Sequence, residues 1–203
     1  ANEWVEVEGA RSPGLVPFDE MPATRRSDVV FNANDSFWVS STEELLSGDY
    51  SPLHGFQDTA RSVRTRENAE VLGTRAGSGA GDDGLFSAEE LRAAALRNRS
   101  YTAATLRSDV VQRCRSVPVD NYPALDPITG DANGSPIRLD LTPVCDVLDD
   151  WDGRYDLDSA GPVIWREFSQ RFDGDARSAI GPLWATDFDP ADPYSTPGGL
   201  APT

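Results

Sequence analysis

The 203-residue chain contains no lysine, and its 18 basic residues, all of them arginine, are outnumbered by 34 acidic residues. The formal net charge is therefore −16 at pH 7. Nucleic acids and anionic membrane surfaces are bound through clustered Lys and Arg, so this charge argues against both kinds of partner. No apolar run approaches the ~18 residues that a membrane-spanning helix needs. We expect no insertion into a membrane, and any export signal would lie on a precursor.

Histidine and cysteine are also scarce. The chain has one histidine, His54, and two cysteines, Cys114 and Cys145. The cysteines form no C-x-x-C pair, which argues against a metal or redox site of that kind. There is no G-x-S-x-G elbow, so no known motif pairs His54 with Ser36 or Ser51 as a hydrolase dyad. We expect no cofactor and no metal site, because the acidic loops lack the spacing and the final Glu of an EF-hand.

A polar cluster directly after an apolar run is the most informative feature that is present. Val29-Val30-Phe31 indicates a buried strand, predicted over 28–34, and Asn32-Ala33-Asn34-Asp35-Ser36-Phe37-Trp38 contains its end. A carboxamide held rigidly at a strand end can donate N–H groups to an oxyanion, as acyl-transfer enzymes require. By itself, however, a short Asn/Asp/Ser cluster is by default a turn.

Other motifs accompany this cluster in a fixed order. They are Glu3-Trp4, Val16-Pro17-Phe18-Asp19-Glu20-Met21-Pro22, Ser51-Pro52-Leu53, Arg64-Thr65-Arg66, Phe188-Asp189-Pro190-Ala191-Asp192-Pro193, Thr196-Pro197 and Gly199-Leu200. Together with the asparagine cluster, they resemble the penicillin-acylase-like branch of the N-terminal-nucleophile hydrolases. The resemblance spans nearly the whole chain.

This resemblance implies an α+β fold, as part of the α/β/β/α four-layer sandwich with a helical insertion and long loops. It also implies hydrolysis of the amide bond of acylated substrates, namely a lipopeptide, an N-acyl-homoserine lactone or a β-lactam side chain. The family's nucleophile is a serine, cysteine or threonine at the free N-terminus of the large (beta) subunit, where its own α-amino group is the general base. Ala1 has no nucleophilic atom. We therefore expect the chain to be an internal segment of that subunit and to have no catalytic activity by itself.

The expected partners follow from the same resemblance. They are the alpha subunit, the nucleophile-bearing part of the beta subunit and a small acylated amide substrate. A secreted or periplasmic location is also implied. The alternative is a non-catalytic, acidic, secreted binding module that shares ancestry with acylases and never meets a nucleophile.

Asn34 is the residue that the resemblance assigns as oxyanion donor, and Asn32, two residues earlier, faces the same side of an extended segment. Arg64 is the matching arginine that would orient Asn34, with Arg61 and Arg66 as rivals because the intervening loop varies in length. The planar guanidinium fork can bind a side-chain carbonyl and a backbone oxygen together. The alternative for Arg64 is a surface salt bridge, which contributes little.

The aromatic pair Phe37 and Trp38 is assigned to substrate binding in the acyl pocket, with a core role equally open. Cys114 and Cys145 form either a disulfide or two buried thiols. The exported location that the resemblance implies favours the disulfide.

The chain is expected to form one acylase segment in three parts. Residues 1–72 supply the sheet and the active-site segment, with a long loop over 36–66, and a surface loop follows from Gly73 to Gly84. Residues 85–175 are largely helical, and 176–203 form an irregular tail. The helix signals are a Ser87/Glu90 capping box before an apolar face, Leu106-Val110-Cys114 and Cys145-Leu148-Trp151 at helical spacing, and Pro162 at a first turn.

Overall fold

The computed structural model describes residues 15–73, 79–126, 131–176 and 184–201, apart from the side chains of 170–176. The Glu3-Trp4 motif, Ala1 and part of the loop predicted after Gly73 lie outside these residues. The described part of the chain has mixed helical and strand structure, in agreement with the predicted α+β class. Its elements are α1 (Val63–Leu72), α2 (Ala88–Ala95), α3 (Tyr101–Ser116), β1 (Asp120–Tyr122), β2 (Ile137–Leu139), α4 (Thr142–Asp150), α5 (Pro162–Ala176), β3 (Trp184–Thr186) and β4 (Gly198–Leu200).

The chain divides into two compact units. The first comprises Ala1–Ala94 and Phe188–Thr196, and the second comprises Ala95–Asp187 and Pro197–Thr203. Within the described residues, no helix combines the length and the apolar character needed to cross a membrane.

The first unit is built from irregular chain around helix α1. Its buried side chains include Phe31, Trp38, Val39, Ala69 and Tyr194. The strand predicted over 28–34 is not formed, and the described residues before α1 contain no β-strand at all. Instead, the backbone N–H of Phe31 donates to the carbonyl of Ser40 at 2.9 Å. An apolar run becomes a strand only beside a partner strand, and this part of the chain supplies none.

Helix α1 begins inside the region predicted as a loop. Ser62 caps it, because its side-chain oxygen accepts the backbone N–H of Thr65 at 3.3 Å. The helix ends before Gly73, whose N–H donates to the carbonyl of Ala69. Arg64 therefore lies in the first turn of a helix and not in a loop.

The segment Phe188–Thr196 returns to the first unit and is fastened there by Arg66. The guanidinium Nε donates to the carbonyl of Tyr194 at 2.8 Å, and Nη2 donates to the carbonyl of Ser195 at 2.9 Å. The hydroxyl of Tyr194 donates to the carbonyl of Ser41. Because Arg66 is 8% exposed, these bonds form largely out of water, which strengthens them.

The second unit packs α3, α4 and α5 around one core. Its buried residues include Leu106, Val110, Leu148, Trp151 and Trp165. Trp165 is fully buried, and its indole N–H donates to the hydroxyl of Thr102 at 3.0 Å. Gly161 lies against the ring of Trp151, where a Cβ would come within 2.3 Å of the ring carbon Cγ. Only glycine fits at this close approach.

Helices α2, α3, α4 and α5 lie at the positions of the helix signals in the sequence. Ser87 and Glu90 form the reciprocal capping box before α2, with N···O distances of 2.8 and 3.2 Å. The apolar face predicted for α2 is not buried, however, since Leu91 is 52% exposed. The predicted bridge between Cys114 and Cys145 is present and joins α3 to α4.

Two short antiparallel sheets are also present, one within the region predicted to be largely helical and one in the segment predicted as an irregular tail. β1 pairs with β2, and β3 pairs with β4. Gly199 adopts a φ of 62° beside Ala185, where a larger residue would be strained. Glycine at this position is therefore compatible with β4.

Candidate active site

The two asparagines of the cluster lie in a tight turn that is held by their own polar groups. Asn34 has a φ of 59°, in the left-handed region that asparagine tolerates better than most residues. Its backbone N–H donates to the side-chain oxygen of Asn32 at 2.7 Å. The side-chain amide of Asn32 donates in turn to the carbonyl of Asp35 at 3.3 Å. Asn32 therefore supports the turn, as an Asx-turn residue does.

The side chain of Asn34 is available for an external partner. It is exposed, and no hydrogen bond within the described residues engages its carboxamide. A carboxamide carries two N–H donors on one nitrogen. Asn34 can thus present two donors to an incoming anion without breaking a bond inside this chain.

The side chain of Arg64 contacts the backbone of the same turn. Its Nη2 donates to the carbonyl of Ala33, the residue between the two asparagines. No hydrogen bond joins Arg64 to the side chain of Asn34 among the described residues. Of the two acceptors predicted for this guanidinium, the structure shows the backbone oxygen.

Arg61 has different partners. Its Nη1 donates to Asp35 at 2.8 Å, and its Nε donates to the carbonyl of Thr59 at 2.7 Å. The guanidinium also lies 5.5 Å from the centre of the Trp38 ring, within the range of a cation–π contact. Arg66 holds the returning segment, and the hydrogen bond from Arg64 reaches the backbone between the asparagines.

Asp35 connects the turn to the start of helix α1. Its Oδ1 accepts the Ser36 N–H at 3.0 Å and the Arg61 guanidinium at 2.8 Å. Its Oδ2 accepts the Ser62 N–H at 3.1 Å and the Thr65 hydroxyl at 2.7 Å. A carboxylate at the first turn of a helix is also favoured by the helix dipole. Four donors thus converge on one side chain.

These contacts keep both members of the Asp35–Arg61 pair charged. Burial alone would raise the pKa of the Asp35 carboxyl, but the hydrogen bonds from Thr65, Ser62 and Ser36 and the charge of Arg61 outweigh it, and the pKa is lowered. Burial lowers the pKa of the Arg61 guanidinium, and Asp35 opposes that shift. An arginine remains protonated under such a shift.

The two aromatic residues of the cluster have different surroundings. Trp38 is fully buried, and its indole N–H donates to the hydroxyl of Ser47 at 2.9 Å. Of its two predicted roles, the core role is the one that its position supports. Phe37 is half-buried, and its ring meets Tyr50 and His54 edge-on at centroid distances of 5.4 and 6.5 Å.

His54 does not form a dyad with either nearby serine. Its Nε2 is buried and has no hydrogen-bond partner within the described residues. Ser51 accepts the N–H of Leu53 and caps its own short turn. Ser36 accepts the N–H of Trp38. The serines thus serve local backbone structure.

Comparison with known proteins places this turn within a family. The penicillin amidase family model matches residues 1–196. The chain is 33% identical over 192 residues to aculeacin-A acylase from Actinoplanes utahensis, covering 93% of this chain and 21% of that protein. It is 30% identical over 199 residues to the acyl-homoserine lactone acylase PvdQ from Pseudomonas savastanoi pv. phaseolicola, covering 98% and 22%. For PvdQ from Pseudomonas putida the identity is 28% over 201 residues.

The chain belongs to the penicillin amidase family. The family resemblance predicted from the motifs is therefore confirmed. The chain spans about a fifth of the length of these relatives.

Two residues of this penicillin amidase segment were missed by sequence reasoning, although both lie inside quoted motifs. In the sequence, Asp35 is typical of a turn, and Thr65 only separates two arginines. In the structure, Thr65 is 1% exposed. Ser62 was an available signal, because serine is a preferred N-cap residue at a helix start. Within the described residues, no group of three or more His, Cys, Asp or Glu side chains is arranged to hold a metal ion.

Proposed function

We propose that this chain is the oxyanion-stabilising segment of an acylase. The observation that carries the proposal is the exposed carboxamide of Asn34, which has no partner among the described residues and is held in a left-handed turn. Donors that are fixed before the reaction stabilise a developing charge without reorganising, which is why such groups contribute strongly to catalysis. The acylase names of the relatives support this assignment.

In the proposed reaction, the nucleophile belongs to another segment or chain. It attacks the carbonyl carbon of the substrate amide, and the carbonyl oxygen gains negative charge that the Asn34 N–H groups stabilise. The amide C–N bond then breaks, the amine leaves with a proton, and water hydrolyses the acyl-enzyme. The substrate class is an acylated amide, namely a lipopeptide, an N-acyl-homoserine lactone or a β-lactam side chain.

The remaining segments of the enzyme would complete the fold. We propose that they form the rest of the four-layer sandwich of N-terminal-nucleophile hydrolases. The alpha subunit and the nucleophile-bearing part of the beta subunit are the partners. The enzyme would be secreted or periplasmic, where the Cys114–Cys145 disulfide is stable. Phe37, which is half-buried, is the aromatic residue that we assign to substrate contact.

A hydrolysis panel on the complete enzyme tests the proposed function. Release of the free amine from N-acyl-homoserine lactones, a lipopeptide and an N-acylated β-lactam is measured. We expect turnover of at least one class, and we expect N-terminal sequencing to find a companion segment that opens with Ser, Thr or Cys. Hydrolysis of none of these, together with a stable isolated monomer, would support a binding module.

Arg64 is expected to act as a positioning residue, because its guanidinium bonds to the backbone of the turn. Arg64→Ala in the complete enzyme should lower kcat by about 10-fold and leave KM for the acyl amide nearly unchanged. The reason is that the Ala33 carbonyl loses its donor, and the carboxamide of Asn34 is then held less rigidly. Steady-state kinetics measure both constants.

The matched control for Arg64 is Arg92, an exposed arginine in the last turn of α2. Arg92→Ala removes the same charge and should leave kcat and KM unchanged. An Arg64→Ala enzyme with the kinetics of the Arg92→Ala enzyme would remove Arg64 from the site.

A further inference from the structure

Asp35 is the most heavily engaged polar side chain near the proposed oxyanion donor, and the proposed mechanism does not use it. Its two oxygens accept four donors, and three of these come from residues 26 to 30 positions away in the chain. Such bonds between distant segments fix the turn relative to helix α1. The neighbouring residue, Asn34, has a φ of 59° and depends on its surroundings to keep that conformation.

We infer that Asp35 is the positioning residue of the oxyanion site, which locks the Asn34 turn onto the first turn of helix α1. This inference rests on the proposed function. Three contacts hold the short segment that carries the carboxamide. The Ala33 carbonyl is held by Arg64, the Asn34 N–H is held by Asn32, and the Asp35 side chain is held by the helix.

The chemistry of the four donors requires a carboxylate. Each oxygen faces two hydrogen-bond donors, one pair being Ser36 N–H with Arg61 and the other Ser62 N–H with the Thr65 hydroxyl. An asparagine at this position has one acceptor oxygen and one NH₂ group, so its NH₂ would face a pair of donors. Asp35→Asn therefore keeps the shape of the side chain but disrupts the two hydrogen bonds at one of its two oxygen positions.

Arg61 also fixes the position of the Asp35 carboxylate. Arg61 is 9% exposed, and its guanidinium is bonded to the Thr59 carbonyl and lies over the ring of the buried Trp38. Because these contacts fix the Arg61 guanidinium, they also fix the place where the Asp35 carboxylate accepts its hydrogen bond. Charge-assisted bonds of this kind are stronger than neutral ones and hold geometry better.

The test is a double-mutant cycle between positions 34 and 35 in the complete enzyme. Asp35→Asn should lower kcat for acyl-amide hydrolysis by about 10- to 100-fold, with KM little changed, because a small displacement of the donor costs much of its effect. Asn34→Gly removes the carboxamide while glycine keeps the left-handed backbone free of strain. In the Asn34→Gly background, Asp35→Asn should lower kcat no further, since no carboxamide remains to be positioned.

Asp140 supplies the matched control. It lies at the start of helix α4 and accepts the N–H of Thr142 at 2.9 Å, so Asp140→Asn makes the same chemical change at another helix terminus. We expect kcat unchanged for this variant. If Asp35→Asn does not give a folded enzyme, Thr65→Val keeps the carboxylate, removes one donor and should show a smaller kcat loss with the same dependence on Asn34.

The outcomes separate the two levels of the argument. Equal kcat losses from Asp35→Asn with and without the Asn34 carboxamide would overturn the positioning role, and so would an unchanged kcat. Full activity of Asn34→Gly by itself would overturn the oxyanion assignment and the inference with it. A kcat loss that disappears in the Asn34→Gly background supports both.

Discussion

Replacing Asn34 by alanine or glycine in the complete enzyme is expected to lower kcat for acyl-amide hydrolysis by about 10²- to 10³-fold and to leave KM nearly unchanged. The carboxamide is exposed and makes no bond within the described chain, so its loss breaks nothing in the ground state. Its N–H groups act when negative charge develops on the carbonyl oxygen. A loss confined to kcat is the signature of an interaction made in the transition state.

The pair of substitutions separates backbone strain from lost donors. Alanine at a φ of 59° is strained, whereas glycine is not, so the two variants should differ in stability but agree in kcat. Asn34→Asp, which keeps the shape but brings a negative charge, should be at least as slow. Asn98 is the control, since it is another exposed asparagine with a positive φ, 49°, and Asn98→Gly should keep full turnover. Wild-type kcat in Asn34→Gly would contradict the assignment.

Local sequence signals predicted the helical part of the chain well. The Ser87/Glu90 capping box, the apolar spacing that ends at Cys114 and the proline at the start of α5 each involve residues within two turns of one another. Interactions at that range are visible in sequence, because helix formation is governed by near neighbours. The exported location implied by the family resemblance favoured a Cys114–Cys145 bridge over two buried thiols, and the structure contains that bridge.

Contacts between distant segments could not be predicted in the same way. β3 and β4 are separated by the segment that returns to the first unit, and no local pattern announces that Trp184 pairs opposite Leu200. The strand predicted over 28–34 failed for the converse reason, since the described residues offer it no partner. Strand formation depends on pairing more than on intrinsic preference.

The candidate site contains one residue that a local motif identified and one whose role depends on contacts between distant segments. Asn34 was identified from the family motif, and the structure leaves its carboxamide free within the described residues. The role of Asp35 depends on donors beyond position 60, which come close only after α1 has formed. Trp38, equally open between pocket and core, is buried because Arg61 and Ser47 close around it. A residue that carries a chemical group is therefore easier to predict from sequence than the contacts that position it.

Removing the disulfide is expected to destabilise α3 and α4 by about 3 to 4 kcal/mol, through the double substitution Cys114→Ala/Cys145→Ala. The bridge closes a loop with a sequence separation of 31 residues, and on the loop-entropy model its loss restores that much freedom to the unfolded chain. Alanine is chosen because Cys145 is 1% exposed, and a serine hydroxyl there would be buried without a partner.

Hydrogen exchange measured on the complete enzyme reports this effect locally, since a multi-segment protein does not give a single unfolding free energy. Amides of α3 and α4 should exchange about 10²-fold faster in the variant, which corresponds to about 3 kcal/mol. The increase should remain below complete loss of protection, because Arg107 still ties α3 to the end of α4 by donating to the carbonyls of Leu148 and Asp149 at 2.8 and 2.7 Å. Helix α1 is the internal control and should keep its wild-type rates, as it belongs to the other unit. Wild-type exchange in α3 and α4 of the variant would mean that packing and Arg107 alone hold these helices together.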